Sequence, residues 1–212
     1  MPSRRPRHTD GPDLSPRQNA LRVLITTQAV FFLALACCVG LVHDYASENA
    51  GISYYPVHHR TIALAIIGYI AGAIGLWLAS SIFREGGLGA LVWVGTRAVA
   101  VMLVLLLLTP YTGGPFLDWA HMAVGVVGAL VQLAISFTLL RRRWSRGAAV
   151  GFAVQLLGGV LGALSLPDWS FQLLLPAEIM IELGFGYCLL AWANVLEPAT
   201  TFDSIEGRQR GQ

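Results

Sequence analysis

The sequence predicts an all-α polytopic membrane protein, a bundle of six transmembrane helices with both termini in the cytoplasm. Its 212 residues are 55% hydrophobic and only 12% charged, whereas soluble domains usually carry about 25% charged residues. Six apolar runs are each long enough to cross a hydrocarbon core of about 30 Å. A backbone in lipid must satisfy its own hydrogen bonds, and no alternating barrel strands of about ten residues occur, so the runs are helices.

The elements follow one another with short connections and form one domain, residues 21–196. A basic tail, residues 1–20, precedes it and is predicted to be disordered, and a second cytoplasmic tail covers residues 197–212. In the tail, "SPRQ" pairs an N-cap Ser15 with Pro16 at a first helical position, so the first helix should begin before the membrane. No cleavable signal peptide is evident. The six runs are Val23–Val42, Thr61–Phe83, Leu88–Thr109, Trp119–Leu140, Gly147–Leu166 and about Phe171–Val195.

The arginines predict the orientation, because cytoplasmic loops of membrane proteins are rich in Lys and Arg. All fourteen basic residues are Arg. Twelve of them lie in the two tails or in the connections that follow the second and fourth runs, which share one side of the membrane. The opposite loops hold only Arg60, and Arg97 lies inside a run. We therefore expect a multi-pass protein of the plasma (inner) membrane with cytoplasmic N- and C-termini.

Composition also excludes some classes of function. A net charge of +2 is too small to indicate a nucleic-acid partner. Three cysteines in apolar runs indicate packing residues and no disulfide framework. Glycines at four-residue spacing predict close helix packing and carry no chemistry. These glycines are Gly68 and Gly72, Gly147 and Gly151, and Gly158 and Gly162.

The last run contains two acids, in "LLLPAEIMIELGFGYCLL". A charged residue at the centre of a membrane helix costs roughly 2.5–3.5 kcal/mol. If the helix begins at Pro176, Glu178 lies in the first turn, where the helix dipole favours it, and Glu182 lies about 10 Å deep. A start at Phe171 would place both about 7 Å deeper. We prefer the first register. In both, the acids share one helix face, which should turn toward the bundle or a wet cavity.

More polar residues cluster at the same predicted outer level. "DWAH" places Asp118 and His121 on one face at the start of the fourth helix, although Asp118 could simply cap that helix. The first outer loop adds five polar side chains, for which a wet loop is a sufficient explanation. Imidazoles and carboxylates are also what a proton relay, an acid/base pair or a divalent metal needs, yet no HExxH or Cys/His zinc spacing occurs. The loop residues are His43, Asp44, Glu48, His58 and His59.

Arg97 is the only basic residue within a predicted span, about 10 Å from the inner boundary. An intramembrane arginine needs a partner or an aqueous pocket. Glu182 is the candidate partner, and snorkelling to the cytoplasmic surface is the alternative. Three glutamines near midplane would either bond between helices or continue a polar seam from Glu182 toward Arg97. They are Gln28, Gln132 and Gln155.

Two short stretches carry a resemblance to a known family. "SENAGISYY" in a long first outer loop, together with "DWAH", resembles the prokaryotic six-helix membrane family called domain of unknown function 998 and, more distantly, the DRAM-like membrane proteins. This resemblance implies a six-helix fold and no established activity. The chain is also faintly similar to the alkaline ceramidase and progestin-receptor group, which implies zinc held by His and Asp, but it lacks a late His-x-x-x-His.

Three functions remain open, and the sequence does not decide whether the protein is an enzyme. The first is an outward-facing acidic and histidine-containing pocket that handles a small molecule, ion or lipid. It would be lined by Glu178, Glu182, Asp118 and His121, with Glu182 as the group that responds to protons or cations. The second is a non-catalytic membrane subunit or sensor that binds a partner protein. The third is a metal-dependent lipid hydrolase whose candidate ligands are Asp118, His121, His43, His58 and His59.

Overall fold

The computed structural model describes residues 16–142, 144–165 and 171–193. Within these ranges the protein is all helical, with seven α-helices, one 3-10 helix and no strand. Six of the α-helices are long and apolar enough to cross a membrane, as predicted for a polytopic bundle. The elements are α1 Pro16–Leu41, α2 Tyr45–Ala50, the 3-10 helix Gly51–Tyr54, α3 Ile62–Glu85, α4 Ala90–Leu108, α5 Pro115–Arg142, α6 Arg146–Ser165 and α7 Leu174–Ala193.

The two ends of the bundle differ in their connections. One end, here called the loop end, carries the long α1–α3 connection with α2 and the 3-10 helix, and the α4–α5 connection. The other, here called the arginine end, carries the tight α3–α4 and α5–α6 connections. In the α3–α4 turn, Gly87 takes a φ of +72°, which lets the chain reverse with little strain. Among the described residues the arginine end holds Arg22, Arg84, Arg141, Arg142 and Arg146.

Consecutive long helices pack side by side, and α7 also contacts α1, α5, α2 and the 3-10 helix. The α6–α7 contact is extensive because glycines let the two backbones meet. A Cβ on Gly151 would lie 2.8 Å from the Gly184 carbonyl oxygen, and one on Gly158 would lie 2.6 Å from the Ala177 oxygen. The four-residue glycine spacing is therefore a packing device here, as predicted.

The interior of the bundle is apolar, and so is its outward surface. Phe83, Ile135, Phe185 and Leu189 are fully buried between helices. Large apolar side chains also cover the outside of the spans, as expected for a bundle whose solvent is lipid. Helix α7 contacts several other elements, and its two acids, Glu178 and Glu182, are partly buried.

The start of α7 decides the depth of the two acids, and it differs from both predicted registers. The helix begins at Leu174, two residues before Pro176, which occupies the first turn as expected. Glu178 is consequently the fifth helical residue, and the first turn contains no acid. The expectation that Glu178 is a first-turn residue favoured by the helix dipole is therefore wrong, because the helix dipole acts mainly within that turn.

Helix α1 is present from Pro16, the first described residue, so it extends before the first apolar run at Val23, as predicted. The predicted N-cap Ser15 lies outside the described residues. Residues 1–15 of the predicted N-terminal tail lie outside the described residues. The same holds for the loop 167–170, the predicted helix end at Val195 and the C-terminal tail 197–212.

Candidate functional site

Glu178 is bound by the backbone of the α1–α3 connection. One carboxylate oxygen, Oε2, accepts a hydrogen bond of 2.6 Å from the Ile52 backbone N–H. The preceding residue, Gly51, has a φ of +69° and a ψ of −156°, a conformation that is accessible essentially only to glycine. A side chain at this position would also collide with the Glu178 carboxylate. Gly51 thus brings the loop backbone close enough for its N–H to reach the acid.

The loop that carries Ile52 has its own internal supports. Asp44 caps α2: its side chain accepts from the Ser47 N–H at 2.8 Å, and Ser47 Oγ accepts in return from the Asp44 N–H at 3.0 Å. The Tyr54 hydroxyl donates to Asp44 Oδ2 at 3.0 Å. The Ser47 N–H bond lowers the pKa of Asp44, with a smaller contribution from Tyr54. Asp44 therefore fixes the start of α2, and Gly51 and Ile52 fix its end over α7.

Glu182 lies one turn further along α7 and meets a different partner. Its Oε1 accepts a hydrogen bond of 2.8 Å from Gln132 Nε2 on α5. Gln132 is buried, and its own carbonyl oxygen has no partner among the described residues. The predicted interhelical bonding of the intramembrane glutamines thus holds for Gln132. Gln155 is also buried but makes no side-chain hydrogen bond within the described residues.

His121 links three segments at the loop end. Its Nδ1 lies 2.6 Å from the Thr109 carbonyl oxygen, and its Nε2 lies 2.7 Å from Ser53 Oγ. Because a carbonyl can only accept, Nδ1 must carry a proton, which leaves Nε2 to accept from the Ser53 hydroxyl in the neutral ring. Asp118, in the first turn of α5, is close enough to interact electrostatically with His121.

Tyr69 and Ser53 belong to this cluster, although sequence reasoning did not select them. Tyr69 on α3 is buried and lines the same recess as Ile52. The Ser53 hydroxyl contacts His121 Nε2. The available signal was a tyrosine inside an apolar run, because a buried phenol usually finds a polar partner. We call Glu178, Glu182, Gln132, Tyr69, Ser53 and His121 the loop-end polar cluster.

The two carboxyl groups of the cluster have no ion-pair partner. Glu178 is bonded to a backbone N–H and Glu182 to a neutral amide, and neither forms an ion pair with any residue that the structure describes. The one ion pair in those ranges joins His43 Nε2 to Glu48 Oε1 at 3.2 Å, and it needs a protonated histidine.

The five candidate metal ligands do not converge. His43 pairs with Glu48, whereas His58 stacks on His59 with ring centroids 4.6 Å apart. His121 and Asp118 lie together at the start of α5. In residues 16–142, 144–165 and 171–193, no group of three or more His, Cys, Asp or Glu is arranged to hold a metal ion.

Arg97 is placed away from the loop-end polar cluster, on the half of α4 nearer the arginine end. Its Nε donates to Ser80 Oγ at 2.9 Å and its Nη2 donates to Ser81 Oγ at 3.2 Å. Its guanidinium also lies over the rings of Trp77 and Trp93. Within the described part of the chain Arg97 forms no ion pair with Glu182, because α3 hydroxyls and indole faces supply its partners instead.

A small recess adjoins the cluster between α1, α3 and the 3-10 helix. It holds about 10 Å³, roughly the room for one water molecule. Its lining is mostly apolar and includes Phe31, Leu35, Ile52 and Tyr69. Ile52 and Tyr69 connect this recess to the environment of Glu178.

Comparison with known proteins gives no match: no family model, no curated protein and no solved structure matches the chain. The resemblance to the domain of unknown function 998 family accordingly stays a prediction. The case for a function depends on the residues themselves.

Proposed function

We propose that this integral membrane protein uses the loop-end polar cluster as an outward-facing site for a small cation or a proton. In this proposal Glu182 is the responsive group, Glu178 is the second carboxylate, and His121 with Tyr69 and Ser53 completes the polar wall. The arginine distribution supports the outward orientation, cytoplasmic termini and a plasma-membrane location. Membership of the domain of unknown function 998 family is part of the same proposal.

The observation that carries the proposal is a pair of carboxyl groups on α7 that have no basic partner among the described residues. Two carboxylates stand one helical turn apart in a membrane-spanning helix, and their described partners, the Ile52 N–H and the Gln132 amide, are both neutral. Charges in a low-dielectric interior are normally paired or neutralised, since desolvating a lone charge costs several kcal/mol. A bound cation or a proton would supply the missing positive charge.

The loop over α7 gives such a site a means of access. Ile52 donates its N–H to the carboxylate that an arriving cation or proton would also engage. Occupation of Glu178 lowers the negative charge on the acceptor of the Ile52 bond and would loosen the loop, whereas the unoccupied carboxylate would hold it more tightly. Ligand binding and loop position are coupled through one hydrogen bond in this scheme.

Thermal unfolding of the purified full-length chain in phosphatidylcholine nanodiscs tests the site. At constant ionic strength, choline is replaced in turn by Na⁺, K⁺, Mg²⁺, Ca²⁺, Mn²⁺ or Zn²⁺, and the series is repeated between pH 5.5 and 8.5. We expect one cation, or the proton, to shift Tm. A ligand at 100 times its Kd stabilises by about 2.7 kcal/mol.

Matched glutamine variants identify the group responsible. Glu182→Gln and Glu178→Gln should remove the shift, while Glu85→Gln, the same change at an exposed acid of the arginine end, should retain it. Glutamine still offers an oxygen to Gln132 or Ile52, so the variants should insert and purify normally. An identical response in wild type and Glu182→Gln, or no response of wild type to any cation or pH, would overturn the proposal.

A sensor is the second candidate, and one contact favours it. The Glu178–Ile52 bond connects an intramembrane acid to a loop outside the membrane, which is the connection that a sensor of cation or pH would need. Proteoliposomes that enclose a pH- or cation-sensitive dye separate the two functions. Flux that disappears in Glu182→Gln supports a transporter, and a loop response without flux supports the sensor. The metal-dependent hydrolase stays a prediction without a ligand group among the described residues.

A further inference from the structure

A second polar feature lies at the other end of the bundle, on the face shared by α3 and α4. Arg97 donates to Ser80 and Ser81 and lies 5.0 Å from the Trp77 ring centroid and 5.5 Å from that of Trp93. Trp93 and Arg97 are four residues apart and share one face of α4. The Nη1 group of Arg97 makes no hydrogen bond within residues 16–142, 144–165 and 171–193.

A second arginine joins this group through the same indole. Arg84, in the last turn of α3, has its Cζ 6.0 Å from the centroid of Trp93, so one ring lies beside two guanidinium groups. Neither Arg84 nor Arg97 forms an ion pair with a carboxylate in the described chain, and this includes the adjacent Glu85. We call Arg84, Arg97, Trp77, Trp93, Ser80 and Ser81 the arginine–tryptophan cluster.

The surroundings of the cluster are apolar and face outward. Trp77 is 47% exposed, and its neighbours Leu78 and Val94 are 48% and 47% exposed. On a membrane-spanning helix such side chains contact acyl chains. Arg97 lies about 10 Å along α4 from the start of the helix at the arginine end, and Arg84 lies nearer that end. Both arginines are therefore at the depth of a lipid headgroup and the upper part of its acyl chains.

We propose that the arginine–tryptophan cluster binds the phosphate of an anionic phospholipid from the adjacent leaflet. Arg84 and the free Nη1 of Arg97 would donate to the phosphate oxygens, since guanidinium groups match phosphate geometry. Ser80 and Ser81 hold Arg97 in place through Nε and Nη2, and the tryptophans keep both cations at the surface of the bundle. The acyl chains would lie over Trp77, Leu78 and Val94.

Native mass spectrometry of the detergent-solubilised full chain tests this site. The protein is titrated with phosphatidylglycerol and, separately, with phosphatidylcholine of the same acyl chains. We expect the first phosphatidylglycerol to bind more tightly than phosphatidylcholine. Arg97→Gln should weaken phosphatidylglycerol binding about tenfold, because one charge-assisted contact is lost. Phosphatidylcholine should lose less, because its choline group already offsets the charge of the phosphate.

The control is Arg146→Gln, which removes the same charge from an exposed position at the same end. It should lose little affinity, since Arg146 is outside the cluster. Arg97→Lys keeps the charge but loses the planar guanidinium that can donate two parallel hydrogen bonds. Its affinity for phosphatidylglycerol should lie between those of wild type and Arg97→Gln. Arg84→Gln carries the same test should Arg97→Gln fail to purify as a monodisperse protein.

Any of three results would overturn the proposal. The first is that phosphatidylglycerol binds no more tightly than phosphatidylcholine. The second is that the cluster variants lose no more affinity than Arg146→Gln. The third is that inorganic phosphate alone, added in large excess, binds to the cluster and displaces phosphatidylglycerol. That outcome would assign the site to a free anion and not to a lipid.

Discussion

The Glu178 carboxylate accepts a 2.6 Å hydrogen bond from the backbone N–H of Ile52, a residue 126 positions earlier in the chain. This bond fastens the α1–α3 connection to the last helix. The six-residue α2 and the four-residue 3-10 helix are too short to be stable alone, so their order depends on such tertiary contacts. The Glu178–Ile52 pair is therefore the point at which the loop and the membrane bundle are joined.

Removal of the acceptor should loosen the loop. Glu178→Ala leaves the Ile52 N–H without its partner, and we expect the loop to lose about 1–3 kcal/mol of protection. Hydrogen–deuterium exchange over residues 45–57 measures this loss. Glu178→Gln keeps an oxygen acceptor and should lose less, and Glu85→Ala should change nothing. Equal exchange in all four proteins would contradict the assigned role of the bond.

Gly51 should tolerate no side chain. In Gly51→Ala the alanine backbone must adopt a conformation that is normally open only to glycine, and its Cβ collides with the Glu178 carboxylate. We therefore expect a loss of about 1–3 kcal/mol of loop stability. Limited proteolysis between residues 45 and 60 is the measurement. Gly87→Ala provides the control because Gly87 also has a positive φ, yet a Cβ added there would meet no atom within 4 Å. Cleavage of the loop should rise in Gly51→Ala alone.

Acid should release the start of α2. The Ser47 N–H bond lowers the pKa of Asp44 below its ordinary value of 3.8. A carboxylate with a lowered folded-state pKa contributes stability that is present above its unfolded pKa and is lost as the pH falls through the folded one. The contribution of Asp44 to the exchange protection of α2 should therefore be constant from pH 7 to about pH 4 and fall below that value.

Asp44→Asn isolates this effect. Asparagine can still accept from the Ser47 N–H but does not titrate, so the contribution of position 44 to the acid response should vanish. A drop in protection that is the same in wild type and Asp44→Asn would assign the acid response to another group.

The helices are predictable from sequence because each depends on local composition. Lipid requires about 20 apolar residues per span, and Pro176 falls in the first turn of α7 without reference to any distant residue. The four-residue glycine spacing predicts a close contact such as that between Gly151 and Gly184, although it does not name the partner helix. Such features follow from periodicity alone.

The loop-end polar cluster is only partly predictable from the sequence, because its contacts join distant segments. The sequence marks Glu178 and Glu182 as polar residues of one helix face, yet their partners Ile52 and Gln132 lie 126 and 50 residues away. A seam between Arg97 and Glu182 is a natural expectation since both are ionisable and intramembrane. Hydroxyls on α3 and indole rings satisfy Arg97 instead, and these residue types carry no charge that would mark them in the sequence.

The Gln132–Glu182 hydrogen bond can be tested by exchanging the two residue types between the two positions. Gln132→Glu alone would place a carboxyl group against that of Glu182 and remove its hydrogen-bond donor, so it should destabilise the protein by about 1–3 kcal/mol. The double variant Gln132→Glu/Glu182→Gln again has one acid and one amide, with their positions reversed. Most of the lost stability should return in this protein. A double-mutant cycle on Tm or denaturant midpoint measures the coupling, for which contacting residues give about 0.5–3 kcal/mol. Gln132→Glu paired with Glu85→Gln is the matched control, because it removes a distant acid and should restore nothing. Additive effects in the exchanged protein would mean that the two side chains do not touch in the membrane.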